Sequence, residues 1–421
     1  MDQFLIQGGI PLSGEVQVSG AKNSALKLLI ASLLCEGRHY FRNVPNLVDI
    51  HSTAKLLETL GVKTFFENDL FICDVGPAQQ TLAHYDLVRK MRASILVLGP
   101  LLTKYGRAQV SLPGGCAIGN RPIDLHIEAL RQMGAEITIE EGYVHARASR
   151  LKGTKILFDQ VTVGGTENVL MAAVLAEGKT VIENAAKEPE IVDLANFLIT
   201  LGAKIKGQGT SCIEIEGVNS LRASGKEYVV MPDRIEAGTL LLAGAITGGR
   251  VKVQQAPPFH LEALFSKLRE AGFKIVEEAD GVTLESPSGG HRAVDVTTAP
   301  YPHFPTDLQA QFMALMCFAH GTSVITETVF ENRFMHVPEL MRMGADITSK
   351  SRVAVVRGRP RGLTGAPVMA TDLRASASLV LAGLAAQGQT TVNRIYHLDR
   401  GYERLEQKLQ CLGAKVERIA T

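Results

Sequence analysis

The sequence predicts an α/β protein of two domains built from six units, on three observations. First, a chain of 421 residues is longer than one hydrophobic core fills, since single cores stop growing near about 250–300 residues. Second, a junction of helix, glycine and strand recurs six times at nearly constant spacing. Third, a different helix-to-strand junction falls between those six.

The first junction begins with an amphipathic helix. Leu125, Ile127, Leu130 and Met133 fall at helical spacing in one copy, and Leu194, Phe197, Leu198 and Leu201 in another. A small or apolar residue and a glycine follow: Gly61 (LGVKTFF), Gly134 (MGAEITI), Gly202 (LGAKIKG), Gly272 (AGFKIVE), Gly344 (MGADITS) and Gly413 (LGAKVER). These glycines are 73, 68, 70, 72 and 69 residues apart. Glycine in this place is a helix stop, because the residue after the C-cap commonly takes positive φ. A strand comes next, with alternating polarity in Ala135-Glu136-Ile137-Thr138-Ile139. The second junction joins an Ala-rich helix through glycine to a β-branched strand, as in AAVLAEGKTVIENAA, AGAITGGRVKVQQAP, MCFAHGTSVITETVF and LAGLAAQGQTTVNRIY. Each unit thus holds two helices and three or four strands. Its length exceeds that of common solenoid repeats, about 20–50 residues. Two compact domains of three units each are the simplest grouping.

Composition bounds the function. The chain is 46% apolar but only 5% aromatic, with no tryptophan, so its cores must be built from Ala, Val, Leu and Ile. With 44 basic and 43 acidic residues the net charge is +1. That balance argues against nonspecific nucleic-acid binding, which needs a basic surface. The first residues lack the charged and apolar regions of a secretory signal. The longest apolar stretch, residues 93–102 between Arg92 and Lys104, is far shorter than the ~20 residues that span a bilayer. The six cysteines are scattered, without CxxC or a His pair at metal-ligand spacing. A cytoplasmic protein with reduced thiols, no membrane association and no structural metal is expected.

Several segments can carry chemistry. In SLPGGCAIGNRPIDL, residues 111–125, three glycines and a proline surround Cys116, and Arg121 follows. A nearby guanidinium favours thiolate, although a lone cysteine also serves as a small buried hydrophobe. GAKNSA, residues 20–25, opens an apolar helix, where backbone N–H groups and Lys22 attract anions. Asn23 and Ser24 can equally be caps. Arg92, Arg121, Arg333, Arg374 and Arg400 each stand beside a short polar cluster, and the arginine fork suits carboxylate and phosphate. Singly each reads as a surface ion pair; together with Lys22 they can bind a small polyanion. Asp307 in FPTD is either an N-cap or a general base. The TVGGT loop, residues 162–166, is a weaker candidate for a diphosphate cradle. The five other cysteines sit in apolar or strand-like contexts and read as structural.

PGGCAIGNRPIDLH, SGAKNSALK, FPTDLQAQF, TVFENRFMHVPEL, ATDLRASASLVLAG and YHLDRGYERLE together resemble the UDP-N-acetylglucosamine enolpyruvyl transferases (1-carboxyvinyltransferases), and the likeness runs the length of the chain. The resemblance implies a two-domain inside-out α/β barrel fold, each domain made of three copies of one unit. Residues 22–231 would form one domain, and residues 1–21 with 232–421 the other, with the substrates in the cleft between. It implies phosphoenolpyruvate as donor, UDP-N-acetylglucosamine as acceptor and no cofactor or metal. Cys116 would be the general acid, alkylated by fosfomycin, and Asp307 the base. Lys22, Arg121 and Arg400 would hold the phosphate, with Asn23, Arg92, Arg333 and Arg374 completing the phosphoenolpyruvate site. Asn23, Arg92, Arg121, Pro122, Ile123, Asp124, Leu125, Thr162, Val163, Gly164, Asp307 and Val329 would contact the UDP-sugar. Gln160 stands where the family often has lysine. The sister transferase acting on shikimate 3-phosphate does not rely on a loop cysteine, so the PGGC context favours the UDP-sugar. A nucleic-acid-binding repeat protein and a paralogue that only binds are the remaining alternatives; intact Lys22, Cys116, Asp307 and Arg400 speak against the second.

Overall fold

The computed structural model describes residues 2–77, 80–88, 91–112 and 123–420, with Arg92 described by its backbone alone. The chain divides into two compact units. The described residues of 20–231 form one; those of 1–19 and 232–421 form the other.

Among the described residues there are six four-stranded sheets, three in each unit. All follow one plan. Lys155–Leu157 runs parallel to Lys179–Glu183, which runs antiparallel to Cys212–Glu216, which pairs antiparallel with Lys204–Lys206. The helix Val163–Ala173 links the parallel pair, and Pro189–Thr200 leads into the hairpin. Register follows side-chain alternation: Ile182 lies opposite Ile213, and both are buried. Each of the six repeats thus has four strands, within the expected three or four, and two main helices. The six expected junction glycines all take positive φ, from 90° at Gly413 to 104° at Gly272. The second junction also occurs six times, because Gly37 and Gly106 repeat the positive φ of Gly178, Gly248, Gly321 and Gly388.

Two classes of helix result. Those that follow the parallel edge strand are apolar on nearly every side and therefore lie inside. All thirteen residues of Arg234–Ile246 are buried, and this helix packs against Gln309–Met316 and Leu373–Ala385. Those that precede the hairpin have one apolar face. Asp124–Gln132 buries only His126, Ile127, Ala129 and Leu130. The sheets cover the inner helices with one face and turn the other to solvent, as in Cys212–Glu216, where Ile213 and Ile215 are buried between exposed ends. Helices inside and sheets outside make each unit an inside-out version of the usual α/β barrel.

Two edge strands pair with strands distant in the chain but within their own unit. Ser13–Gln17 precedes the helix Lys22–Ala31 in sequence but pairs in parallel with Arg250–Gln254, in its own unit. Glu227–Val229 precedes Arg234–Ile246 but pairs with Gly37–Arg42. The first strand, Gln3–Gln7, lies between Gln389–Asn393 and Lys415–Ile419 and completes the sixth sheet. No helix among the described residues is long and apolar enough to cross a membrane. Cys35, Cys73 and Cys317 are buried, and burial pushes their thiols up to about 11, 12 and 12. Cys212 and Cys411 are exposed.

Candidate active site

In the unit that holds both termini, the residues gather around Asp307. It lies in the 3-10 turn Thr306–Leu308, which runs straight into the buried helix Gln309–Met316. The cap positions here are Pro305 and Leu308, so the capping alternative does not describe Asp307. Its carboxylate instead accepts a hydrogen bond from Arg333 Nη2 at 2.7 Å, and Arg374 Nη2 stands 3.4 Å from its second oxygen. Both guanidiniums are buried, whereas the Asp307 side chain is 26% exposed, so the carboxylate remains reachable. Neither arginine is the surface ion pair that each suggests when read alone.

Each arginine is held by further contacts. Arg333 Nη1 donates to Thr306 Oγ1 at 2.8 Å, and its guanidinium lies 5.2 Å from the Phe330 ring centre. Arg374 opens the helix Leu373–Ala385, which Asp372 caps by accepting from the N–H groups of Arg374 and Ala375 at 2.9 and 3.0 Å. The Arg374 guanidinium stacks 5.1 Å from the centre of the Tyr402 ring. Burial would lower the pKa of Arg374, but Tyr402, Asp307 and Asp233 outweigh it and raise it, so the cation persists. Arg374 Nη1 is buried with no hydrogen-bond partner among the described residues, which leaves one donor for an anionic ligand. Gln311 Nε2 lies 3.0 Å from the Asp307 carbonyl and 3.1 Å from the Tyr402 hydroxyl, tying the two segments together.

Sequence reasoning passed over Glu327. Its buried carboxylate accepts from the hydroxyls of Thr298 and Thr306 and from the N–H groups of Val329 and Phe330. It stands six residues before Arg333, immediately ahead of TVFENR (residues 328–333), but nothing in the sequence indicates how many donors a glutamate collects. Val329, expected to meet the UDP-sugar, is therefore positioned through Glu327. Arg400 ends the 3-10 segment Ile395–Arg400, which packs on the helix of Arg374. Burial, then the charges of Arg394 and Arg400, lower the pKa of His397 in that segment.

In the other unit, Lys22 is buried at the first position of Lys22–Ala31, with Nζ 3.1 Å from Asp49 Oδ2. The N-cap is Ala21, without a side-chain cap. Neither Asn23 nor Ser24 caps this helix; Ser24 Oγ donates to Asp193 Oδ2, and the Asn23 carbonyl accepts from Lys27 Nζ. The helix start thus places a lysine at its first position, where the backbone dipole suits an anion. Two further helix starts of this unit meet each other. Asp124 and Leu125 open Asp124–Gln132 after the buried Ile123. Thr162 caps Val163–Ala173, its hydroxyl accepting from Gly165 N at 3.1 Å, so Val163 and Gly164 form the first turn. His126 Nδ1 lies 3.0 Å from Asn168 Nδ2, and a Cβ on Gly164 would sit 3.1 Å from His126 Cε1. Asp124, Leu125, Thr162, Val163 and Gly164 therefore share one corner of the unit. Gln160 is exposed beside it. Cys116, Arg121 and Pro122 lie outside the described residues, as does the Arg92 side chain.

Residues 6–409 match the family of EPSP synthase (3-phosphoshikimate 1-carboxyvinyltransferase). A relative from Bdellovibrio bacteriovorus named UDP-N-acetylglucosamine 1-carboxyvinyltransferase is 65% identical, over 99% of this chain and 100% of its own. One of the same name from Thermodesulfovibrio yellowstonii is 55% identical over 100% of both chains. Among solved structures, the enolpyruvyl transferase NikO from Streptomyces tendae superposes with a TM-score of 0.89 at 26% identity, covering 100% of this chain and 99% of its own. EPSP synthase from Acinetobacter baumannii, at 19% identity and a TM-score of 0.77 over 100% of both chains, shares the fold.

Proposed function

The chain belongs to the EPSP synthase family, and from that membership we propose that it transfers the enolpyruvyl group of phosphoenolpyruvate to the 3′-hydroxyl of UDP-N-acetylglucosamine, releasing phosphate. This is the first committed step of peptidoglycan synthesis. The observation that carries the choice of acceptor is the 65% identity, along 99% of the chain, to a relative named for that reaction.

Cys116 gives a proton to C3 of phosphoenolpyruvate, and C2 gains cationic character. The 3′-oxygen attacks C2 while Asp307 takes the hydroxyl proton, which yields a tetrahedral phospho-ketal. Reversal of both proton movements removes a proton from C3 and expels phosphate, leaving the enol ether. The roles of Asp307, Arg333 and Arg374 are supported by their grouping: two buried guanidiniums orient one reachable carboxylate. Lys22, Arg121 and Arg400 hold the phosphate, and Asn23, Arg92, Arg333 and Arg374 complete the anionic pocket. Fixed cations stabilise charge without reorganising during the reaction. Ile123, Asp124, Leu125, Thr162, Val163 and Gly164 take the UDP-sugar, with Pro122 and Val329; the paired helix starts favour its diphosphate. Residues 22–231 and the remainder act as two domains that close over the substrates, excluding water from the reactive carbon. Fosfomycin inactivates the enzyme at Cys116, and the reaction takes place in the cytoplasm.

The test is phosphate release from phosphoenolpyruvate, with and without UDP-N-acetylglucosamine, before and after fosfomycin. Release should require the UDP-sugar and stop on alkylation of Cys116. Release with shikimate 3-phosphate instead would overturn the acceptor, and release that survives fosfomycin would overturn the acid.

A further inference from the structure

We propose that Glu327 and Thr306 are positioning residues for this reaction, acting through Arg333 on Asp307 and, separately, through the Val329 turn on the UDP-sugar. The inference rests on the reaction proposed above.

Glu327 is 1% exposed, and its two oxygens do different work. Oε1 accepts from the N–H groups of Val329 and Phe330, at 2.9 and 3.1 Å, and from Thr298 Oγ1 at 2.9 Å. Oε2 accepts from Thr306 Oγ1 at 2.8 Å. A hydroxyl has one proton to give. Because Thr306 spends its proton on Glu327, its oxygen lone pairs face Arg333 Nη1 at 2.8 Å. Arg333 then presents Nη2 to Asp307 at 2.7 Å. Arg333 thus donates to both sides, and the chain Glu327–Thr306–Arg333–Asp307 ends at either side on a carboxylate that only accepts, so every donor in it has a fixed role.

This arrangement meets a need of the chemistry. When Asp307 takes the 3′-hydroxyl proton, its hold on Arg333 weakens. A guanidinium held only by Asp307 would then be free to move during the step. Thr306 and Glu327 hold Arg333 from the other side, so the carboxylate keeps its place for the proton to return. The same glutamate fixes the turn at Val329, so one buried charge serves both the base and the acceptor site.

The two branches are separable. Thr306→Val breaks the Arg333 branch, and with it one donor to Glu327 Oε2, but keeps the Oε1 contacts that hold the Val329 turn. It should lower kcat on the order of 100-fold, as expected for misplacement of a catalytic group, while KM for UDP-N-acetylglucosamine stays within about twofold. Thr306→Ser keeps the hydroxyl and should restore kcat. Glu327→Gln should lower kcat and also weaken UDP-N-acetylglucosamine, read both as KM and as binding by calorimetry, because its amide N–H₂ opposes donors. Wild-type kcat in Thr306→Val, a Thr306→Ser variant as slow as the valine, or equal loss of sugar binding in Thr306→Val and Glu327→Gln would each overturn the proposal. Calorimetry needs no turnover, so inactive wild-type enzyme would count against the reaction while the binding comparison still judges the Val329 branch.

Discussion

Single residues in this protein owe their properties to partners distant in the chain. Asp307 reads equally as a cap or a base until Arg333 and Arg374 are seen on its carboxylate. Glu167 carries no signal in sequence, yet it is fully buried with Lys27 Nζ at 3.2 Å. Burial pushes its carboxyl up to about 7 from 4.5; Lys27 opposes that rise, and Glu190 and Glu188 add to it. The folded protein thus binds this proton more tightly than the unfolded chain. The stability contributed by Glu167 is fully present below the unfolded value and is lost as pH rises through the folded one. Glu167→Gln should therefore gain stability relative to wild type between roughly pH 5 and pH 8. Urea unfolding midpoints of the two proteins across that range check this, and a constant difference would refute it.

Helices and strands were largely legible, because each carries its own signals. All six stop glycines have the positive φ that the junction requires. The two classes of helix were also visible, as Ala-rich runs against amphipathic ones, although which class lies inside came only with the family resemblance. What the pattern omits is how closely the inner helices approach. Gly99 opens one such contact in Leu98–Tyr105. Its N–H donates to Asn168 Oδ1 at 2.7 Å, and a Cβ there would lie 2.6 Å from the Asn168 backbone oxygen. Backbone cannot move aside as a flexible side chain can, so Gly99→Ala should cost about 1–3 kcal/mol as an overpacked core site. A denaturant midpoint equal to that of wild type would show that the helices have room.

Across the whole molecule, connectivity distributes stability in ways that local sequence does not reveal. Gln3–Gln7 is an inner strand of the sixth sheet, paired on both sides with the last residues of the chain. Phe4 and Ile6 on it are fully buried. Deleting residues 2–8 removes two ladders and opens that core, so the truncated protein should unfold at much lower urea than the full chain, as followed by circular dichroism. An unchanged midpoint would mean that the strand is dispensable. The repeat itself was readable because every unit solves the same local problem: a helix must stop and a strand begin. Which sheets Ser13–Gln17 and Glu227–Val229 complete was not readable from the local pattern, because edge strands of five and three residues carry few signals of their own; only the family resemblance, with its crossings near residues 21 and 231, implied it.

The sequence by itself determined the elements, their sixfold recurrence, the family and the chemical character of the candidate site. These depend on short-range periodicity, on glycine stops and on motifs whose residues are close along the chain. Only the tertiary structure decided that Asp307 is paired with two buried arginines, that Ser24 binds Asp193 rather than capping its helix, that Glu327 gathers four donors, and that the first strand closes the last sheet. The physical reason is common to all four. Burial makes an unpaired charge or donor costly, and the groups that relieve that cost are brought close by folding, from positions whose spacing along the chain carries no trace of the contact.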